Sequence, residues 1–339
     1  MTRPDTPQVS VVIVNFNGVA LLDRCLASIL QQSFRPMEII VVDNGSTDES
    51  QNIVATRHPA VRFMAQGKNL GFAEGNNVGV RAARGDYVVL LNNDTEVTAG
   101  WLDGLLDILR DPDVGVVTSR VETDGVPREF YAMNGSLNPL GYNIMRVFED
   151  LSLVFFAGGA SLMFRREEIP QPFLPEYFLY HEDVYLSWWL RLKGRAVRMA
   201  QASVVKHRGS ETTKKHASGV VTFFQERNRL LNALLLYEGT TLFRLLPLFV
   251  LDAVAKAGGS LLLRRKSLSG ILRAYGWCLA HPSWIASQRS THQRERRVRD
   301  REVIRWMSGR LLDGGGAGAR FVNAIARGYA QLVGLRFYD

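Results

Sequence analysis

The chain has 339 residues, 46% of them hydrophobic, and a formal net charge of +8 at pH 7, which is enough apolar material for one large core or two modest ones. No stretch reaches the roughly 18 uncharged apolar residues of a membrane span; the most apolar region, 242–263, is interrupted by Arg244, Asp252 and Lys256. The only cysteines, Cys25 and Cys278, form no CxxC pair, and no signal-like segment precedes the first apolar run at Val9, so a reducing cytoplasm is the expected compartment.

Ser10 to Phe16 (SVVIVNF) predicts a first strand, with Asn17-Gly18 as its turn. Leu21, Leu22, Cys25, Leu26, Ile29 and Leu30 then recur at helical spacing, as in an amphipathic helix that packs back on a sheet. Glu38 to Val42 is a second strand, which runs into Asp43-Asn44-Gly45-Ser46. A helix starting at Ser46-Thr47-Asp48, a third strand near Val61 to Met64 and a helix around Ala73 to Ala83 follow. Tyr87 to Leu91 is wholly apolar and bounded by Gly85-Asp86 and Asn92-Asn93-Asp94, the pattern of a strand covered on both faces in a parallel sheet. Alternating β and α segments of this kind predict a doubly wound, mainly parallel α/β sheet flanked by helices.

Further on, Trp101 to Leu109 reads as a helix and Val114 to Val121 as a strand. Glycines and prolines spaced through 122–150 suggest a hairpin-rich insertion or a mobile loop to which no fold is assigned. Phe155 to Phe164 resumes as a strand whose Gly158 and Gly159 would admit another backbone or a ligand. Asp183 to Leu192 is apolar nearly all round, a buried helix headed by His181-Glu182-Asp183, and Ala196 to Val205 is a β-like run ahead of His207.

Ligands of open α/β sheets collect at the carboxyl ends of the strands. Asn92 and Asp94 present two oxygens on one side of a tight turn, a set suited to Mg²⁺ or Mn²⁺, which takes a few protein oxygens and completes its shell with water and substrate phosphates. A structural role for the same pair is satisfaction of turn amides. His207 offers a nitrogen ligand to the same ion, or a structural histidine. Glu182 and Asp183 open a buried helix. The helix dipole favours their charged forms, while the adjacent like charge and apolar surroundings favour protonation, the tension a general base needs; an acidic first turn is the plainer alternative. Asp43 could accept a hydrogen bond from a uracil or thymine ring or cap the helix that follows. Gly67, Gly71, Gly75 and Gly79 match neither the dinucleotide fingerprint nor the P-loop, which excludes NAD and P-loop ATP binding.

Six ordered blocks across Val9 to Gly209 carry a family resemblance: SVVIVNFNG, EIIVVDNGSTD, NLGFAEGNNVGVRAARGDYVVLLNNDT, the Gly-Gly strand, EYFLYHEDVYLSWWLRLKG and KHRGS. Together they resemble the family 2 inverting glycosyltransferases of the GT-A fold, in particular the bacterial rhamnosyltransferase-like branch. The resemblance implies that Asp43 recognises the base of a nucleotide-diphosphate sugar and that Asn92 and Asp94 occupy the metal-holding DxD position. It makes Asp183 the catalytic base with Glu182 beside it, His207 a further metal ligand, and Asn69, Asn77 and Asn93 part of the donor pocket. The implied reaction moves a sugar, rhamnose from dTDP-rhamnose first, to a lipid-linked or cell-surface glycan in cell-wall or polysaccharide biosynthesis. A UDP-hexose or galactofuranosyl transferase of the same fold, or a non-catalytic sugar-nucleotide-binding scaffold, is the alternative.

Residues 231–339 carry 17 Lys and Arg against 7 Asp and Glu, a net of +10, whereas 1–230 carry 24 against 26. The expected domains are therefore a catalytic 1–230 and a basic, mainly helical 231–339. Leu242, Leu245, Leu246, Phe249, Val250, Ala253, Val254 and Ala257 follow a 3.6-residue period, and Arg289, Arg294, Arg296, Arg297, Arg299, Arg301 and Arg305 form a cationic run. Both features predict contact with an anionic membrane and a peripheral location at the inner face of the cell membrane; the alternative is a helical appendage packed on the catalytic domain or on a second subunit, as in a homodimer, with a solvated basic face. No nucleic-acid-binding motif accompanies the run, so nucleic acid is not an expected partner.

Overall fold

The computed structural model describes residues 7–34, 37–123, 136–144, 150, 152–207, 218–263, 267–312 and 316–337, without the side chains of 218 and 259–263. Most of the expected 122–150 insertion, and residues 208–210 of the KHRGS block, lie outside that set. The chain forms two compact units. The first comprises Met1–Ala132, Phe148–Leu186 and Ala196–Glu211; the second comprises Met133–Val147, Ser187–Arg195 and Thr212–Asp339. The division at 211/212 differs from the expected boundary at 230/231, which falls inside a continuous helix, Ser218–Leu236.

In the first unit, β1 (Val9–Asn15), α1 (Val19–Leu30), β2 (Met37–Asp43), α2 (Ser50–Arg57), β3 (Arg62–Ala65), α3 (Gly71–Ala82) and β4 (Tyr87–Asn92) alternate as read from the sequence. Then come β5 (Thr95–Val97), α4 (Trp101–Leu109), β6 (Val114–Thr123), β7 (Ser161–Arg165), the first five residues of α5 (Glu182–Leu192), whose remainder is counted in the second unit, and β8 (Ala196–His207). The eight strands make one sheet in the order β3-β2-β1-β4-β7-β6-β8-β5. Its β3-β2-β1-β4 half is parallel, but β7 runs antiparallel to both β4 and β6, and β5 antiparallel to β8, so the sheet is mixed. The expected Phe155 to Phe164 strand shortens to Ser161–Arg165, and α2 starts at Ser50 because Asp48 turns back to accept hydrogen bonds from Ser50 and from the Val19 amide.

The helices close on the sheet with their apolar faces. In α1 the buried residues are Leu22, Cys25, Leu26 and Ile29. α3 sits unusually near β1, because a Cβ on Gly79 would lie 2.2 Å from a Val12 methyl. The spaced glycines of that helix thus serve packing. The core gathers Ile13, Leu26, Leu91, Trp101, Leu105 and Met163, and Trp101 donates its indole N–H to Ser161 at 3.0 Å.

The second unit is helical: α6 (Ser218–Leu236), α7 (Gly239–Leu263), α8 (Leu268–Ala280), α9 (Pro282–Glu295), α10 (Asp300–Ile304) and α11 (Ala317–Leu332). Trp188 packs edge-on against Tyr237 with ring centroids 4.6 Å apart. The last carbonyls of α6, which no intrahelical amide can satisfy, accept from two arginines of the cationic run and a glutamine among them: Leu234 from Arg289, Leu235 from Gln293, and Leu236 from Arg296. Arg296 also pairs with Asp300, and Arg299 with Glu238. Arg289 and Arg296 of the run are thus internal braces, while Arg299 pairs with Glu238 at the surface.

Candidate active site

Three parallel strands end on one rim. Asn15 closes β1 opposite Asp43 of β2, and Asn92 of β4 lies opposite Val14. Asp43 is buried; its Oδ1 accepts from Asn15 Nδ2 at 3.0 Å and from the Ser46 hydroxyl at 2.6 Å, and its Oδ2 accepts from the Ser46 amide at 2.9 Å. Its carboxylate therefore shapes the β2 loop. Asn93 joins the same network, donating to Asn15 Oδ1 at 2.8 Å. Asn15 is the hub that sequence reading passed over, although it ends its strand just as Asp43 and Asn92 end theirs.

After β4 the chain turns through Asn93 and Asp94 into β5, which pairs antiparallel with the end of β8 so that Thr95 faces His207. This pairing brings His207 Nε2 to 3.1 Å from Asp94 Oδ1. Asn92 Oδ1 is buried and accepts no hydrogen bond from the described residues, and Asp94 Oδ1 is buried with His207 Nε2 beside it as its polar neighbour. A buried acceptor without a donor is rare and costly, and a cation would answer it. Among the described residues no three or more His, Cys, Asp and Glu side chains converge on a metal site. The candidate donors are Asp94 and His207, with the amide oxygen of Asn92 two residues earlier, a small oxygen and nitrogen set of the kind an ion completes with water and phosphate.

The third part of the site is built on strain. Phe178, Tyr180 and His181 all have positive φ, at 59°, 71° and 64°, a region non-glycine residues seldom occupy. The α3 terminus holds this turn, with the Phe72 and Ala73 amides donating to the Phe178 carbonyl at 2.6 and 3.2 Å. A Cβ on Gly71, itself at φ +80°, would meet that carbonyl oxygen at 2.6 Å. Directly after the turn α5 begins with Glu182 and Asp183. Asp183 Oδ2 accepts the Gly159 amide at 3.0 Å and Oδ1 accepts the Val184 amide at 2.7 Å. The neighbouring Ala160 carbonyl accepts the amide of Asn92 at 3.1 Å. Two adjacent residues, 159 and 160, thus tie Asp183 to the end of β4 that carries the candidate metal ligands.

Burial pushes the Asp183 carboxyl above the usual carboxylate range, against the pull of the Gly159 and Val184 amides. Glu182 is pushed up to about 8 by burial first and by the Asp183 charge second, and its Oε2 is buried without a hydrogen-bond partner. Glu182 is therefore the partner that keeps its proton at neutral pH, while two amides point at the Asp183 carboxyl.

The remaining predicted residues have local roles. Asn69 Oδ1 accepts the Gly71 amide at 2.8 Å and sets the entry to α3. Asn77 is fully buried; its amide donates to the Phe173 carbonyl at 2.9 Å and accepts the Phe173 N–H at 3.1 Å. Both ends of the amide thus clamp another backbone.

Residues 10–169 match the model of "Glycosyl transferase family 2". The chain carries a family 2 glycosyltransferase domain. An N-acetylglucosaminyl-diphospho-decaprenol L-rhamnosyltransferase of Mycobacterium tuberculosis is 29% identical over 248 residues, covering 63% of this chain and 80% of the relative. Among solved structures, a mannosyltransferase of Pyrobaculum calidifontis in complex with GDP-Man and Mn²⁺ shares 19% identity at TM-score 0.52 over 97% of this chain and 81% of its own. GalNAc-T7 with UDP, GalNAc and Mn²⁺ shares 16% identity at TM-score 0.57, covering 70% of this chain, and this chain spans about half of its length (49%). These likenesses establish the GT-A fold, with a helical C-terminal part.

Proposed function

We propose that the chain is an inverting, metal-dependent transferase that moves a sugar, rhamnose from dTDP-rhamnose in first place, to a glycan intermediate on a lipid carrier at the cytoplasmic face of a membrane. The observation that carries this reading is the pairing of Asp94 with His207, two residues after Asn92 with its buried unsatisfied oxygen, and the tie from the Asn92 backbone through residues 159 and 160 to Asp183. Similarity to a rhamnosyltransferase whose name gives a diphospho-decaprenol acceptor supports the choice of sugar and acceptor.

Held by Asn92, Asp94 and His207, a divalent cation would offset the charge developing on a departing diphosphate. The chain's own contribution is acid–base and positional. The acceptor hydroxyl oxygen forms a bond to the anomeric carbon as the bond from that carbon to the diphosphate oxygen breaks, and Asp183 takes the hydroxyl proton. The nucleoside diphosphate leaves with the bonding electron pair. One displacement inverts the anomeric configuration, and no covalent sugar forms on the enzyme. Burial makes Asp183 a stronger base than a solvated carboxylate, and the proton on Glu182 avoids a second buried charge.

Isothermal titration with dTDP-rhamnose and separately with UDP-sugars, each with Mn²⁺ and then EDTA, tests the reading. Mn²⁺-dependent binding of the dTDP donor is expected. Binding of only a UDP-sugar would replace the sugar and keep the mechanism, and binding of neither by folded protein would overturn both.

A further inference from the structure

The second unit contains a helix with its faces reversed. In α7, Leu245, Asp252 and Lys256 share one side, and that side points inward: Leu245 is fully buried, and Asp252 and Lys256 join a buried charge cluster with Glu226 and Arg229 of α6. The Tyr142 hydroxyl donates to both oxygens of Asp252 at 2.9 and 3.0 Å. About half a turn of the wheel away lie Phe243, Leu246, Val250 and Val254, all exposed, Phe243 at 77% and Val254 at 64%. A solvated helix shows the opposite arrangement.

α11 repeats the pattern. Asn323, Ala326 and Ala330 are buried, whereas Phe321, Ile325 and Leu332 are exposed at 68%, 53% and 83%. The two helices meet where the Tyr329 hydroxyl donates to the Arg244 carbonyl. Neither outward face carries an acid: Asp252 is the only Asp or Glu in α7 and is turned inward, and α11 has none. Arg244 on α7, Arg327 on α11 and Arg336 just beyond α11 are exposed and pair with no carboxylate among the described residues.

We propose that the outward faces of α7 and α11 dock the protein on an anionic lipid surface, with Phe243, Leu246, Val250, Val254, Phe321, Ile325 and Leu332 entering the headgroup region and Arg244, Arg327 and Arg336 meeting lipid phosphates. Apolar side chains flanked by unpaired arginines, with no acid to repel a negative surface, are complementary to such a bilayer. No helix among the described residues is long and apolar enough to cross a membrane, so the contact is one of lying on the surface. The docking rests on the proposed lipid-linked acceptor for its purpose, while its physical basis is independent of that reading.

Co-sedimentation of the full chain with phosphatidylglycerol-containing vesicles and with pure phosphatidylcholine vesicles tests it. Stronger binding to the anionic vesicles is expected. The variant Phe243→Gln/Val250→Gln/Val254→Gln should lower partitioning on the order of a hundredfold. Replacing Arg244, Arg327 and Arg336 by Gln should cost roughly fivefold each and flatten the salt dependence. Donor titration of the same variants should match wild type, which separates loss of docking from misfolding and from failure of the transferase reading. Wild-type protein that ignores anionic vesicles, or an apolar-face variant that still binds them like wild type, would overturn the proposal. So would a wild-type dimer in lipid-free solution that this variant splits, since the face would then belong to a second copy.

Discussion

α1 in the first unit and α7 in the second have the same apolar period and opposite fates. α1 buries Leu22, Cys25, Leu26 and Ile29 against the sheet, whereas α7 exposes Leu246, Val250 and Val254 and turns Asp252 and Lys256 inward. A 3.6-residue period establishes that a helix has two faces; which face is inside depends on what the neighbouring elements offer. Around α1 the neighbours are Ile13, Leu91 and Met163 in a shared apolar core. On α6 the neighbours of α7 are Glu226 and Arg229, so its charged side finds partners there.

Mutations can break this contrast. The largest effect is expected in the charge cluster: Glu226→Ala leaves Arg229 and Lys256 to share Asp252, one buried positive charge in excess, and should cost about 3–5 kcal/mol in urea unfolding. Leu26→Ala should cost about 2–5 kcal/mol, since that side chain is fully buried. Val250→Ala, at an equivalent point of the apolar period but exposed, should stay within about 0.5 kcal/mol of wild type. Equal losses for Leu26→Ala and Val250→Ala would show that α7 is covered by protein.

Protonation sharpens the account of the active site. Glu182 is raised above its unfolded value, so its native form keeps a proton that the unfolded chain has lost. Its contribution to stability is complete below the ordinary glutamate range and is lost as pH rises towards about 8, with a slope of up to about 1.4 kcal/mol per pH unit. Glu182→Gln should remove that slope, so its melting temperature should exceed that of wild type at the alkaline end; a wild-type profile flat between pH 5 and 8 would refute the protonated state. The smallest effect concerns the thiols. Burial pushes Cys25 up to about 12 and Cys278 up to about 11, so iodoacetamide at neutral pH should modify neither in the native protein at an appreciable rate.

Much of the first unit was legible because its signals are local. Buried parallel strands read as unbroken apolar runs ending on polar loops, and Asp43, Asn92 and Asp94 stand where those runs end. β5 has three residues, too few for any periodicity to register, and it is β5 that brings His207 to Asp94. The amide clamp of Asn77 on Phe173 joins positions 96 residues apart and leaves no local trace. Asn15 was missed despite an available signal: the strand-end rule applied to Asp43 and Asn92 selects it as well. In the Arg289 to Arg305 run, the composition that suggests a cationic surface also suits capping of helix carbonyls, the role that Arg289 and Arg296 take.

The most direct test of the central claim is transfer of labelled rhamnose from dTDP-rhamnose to an N-acetylglucosaminyl-diphospho-polyprenol acceptor by wild type and Asp183→Asn, with donor binding measured alongside. Turnover in the variant should fall by roughly two to four powers of ten while donor affinity is kept. A variant that transferred sugar at more than about a tenth of the wild-type rate would contradict the assignment of Asp183 as the base.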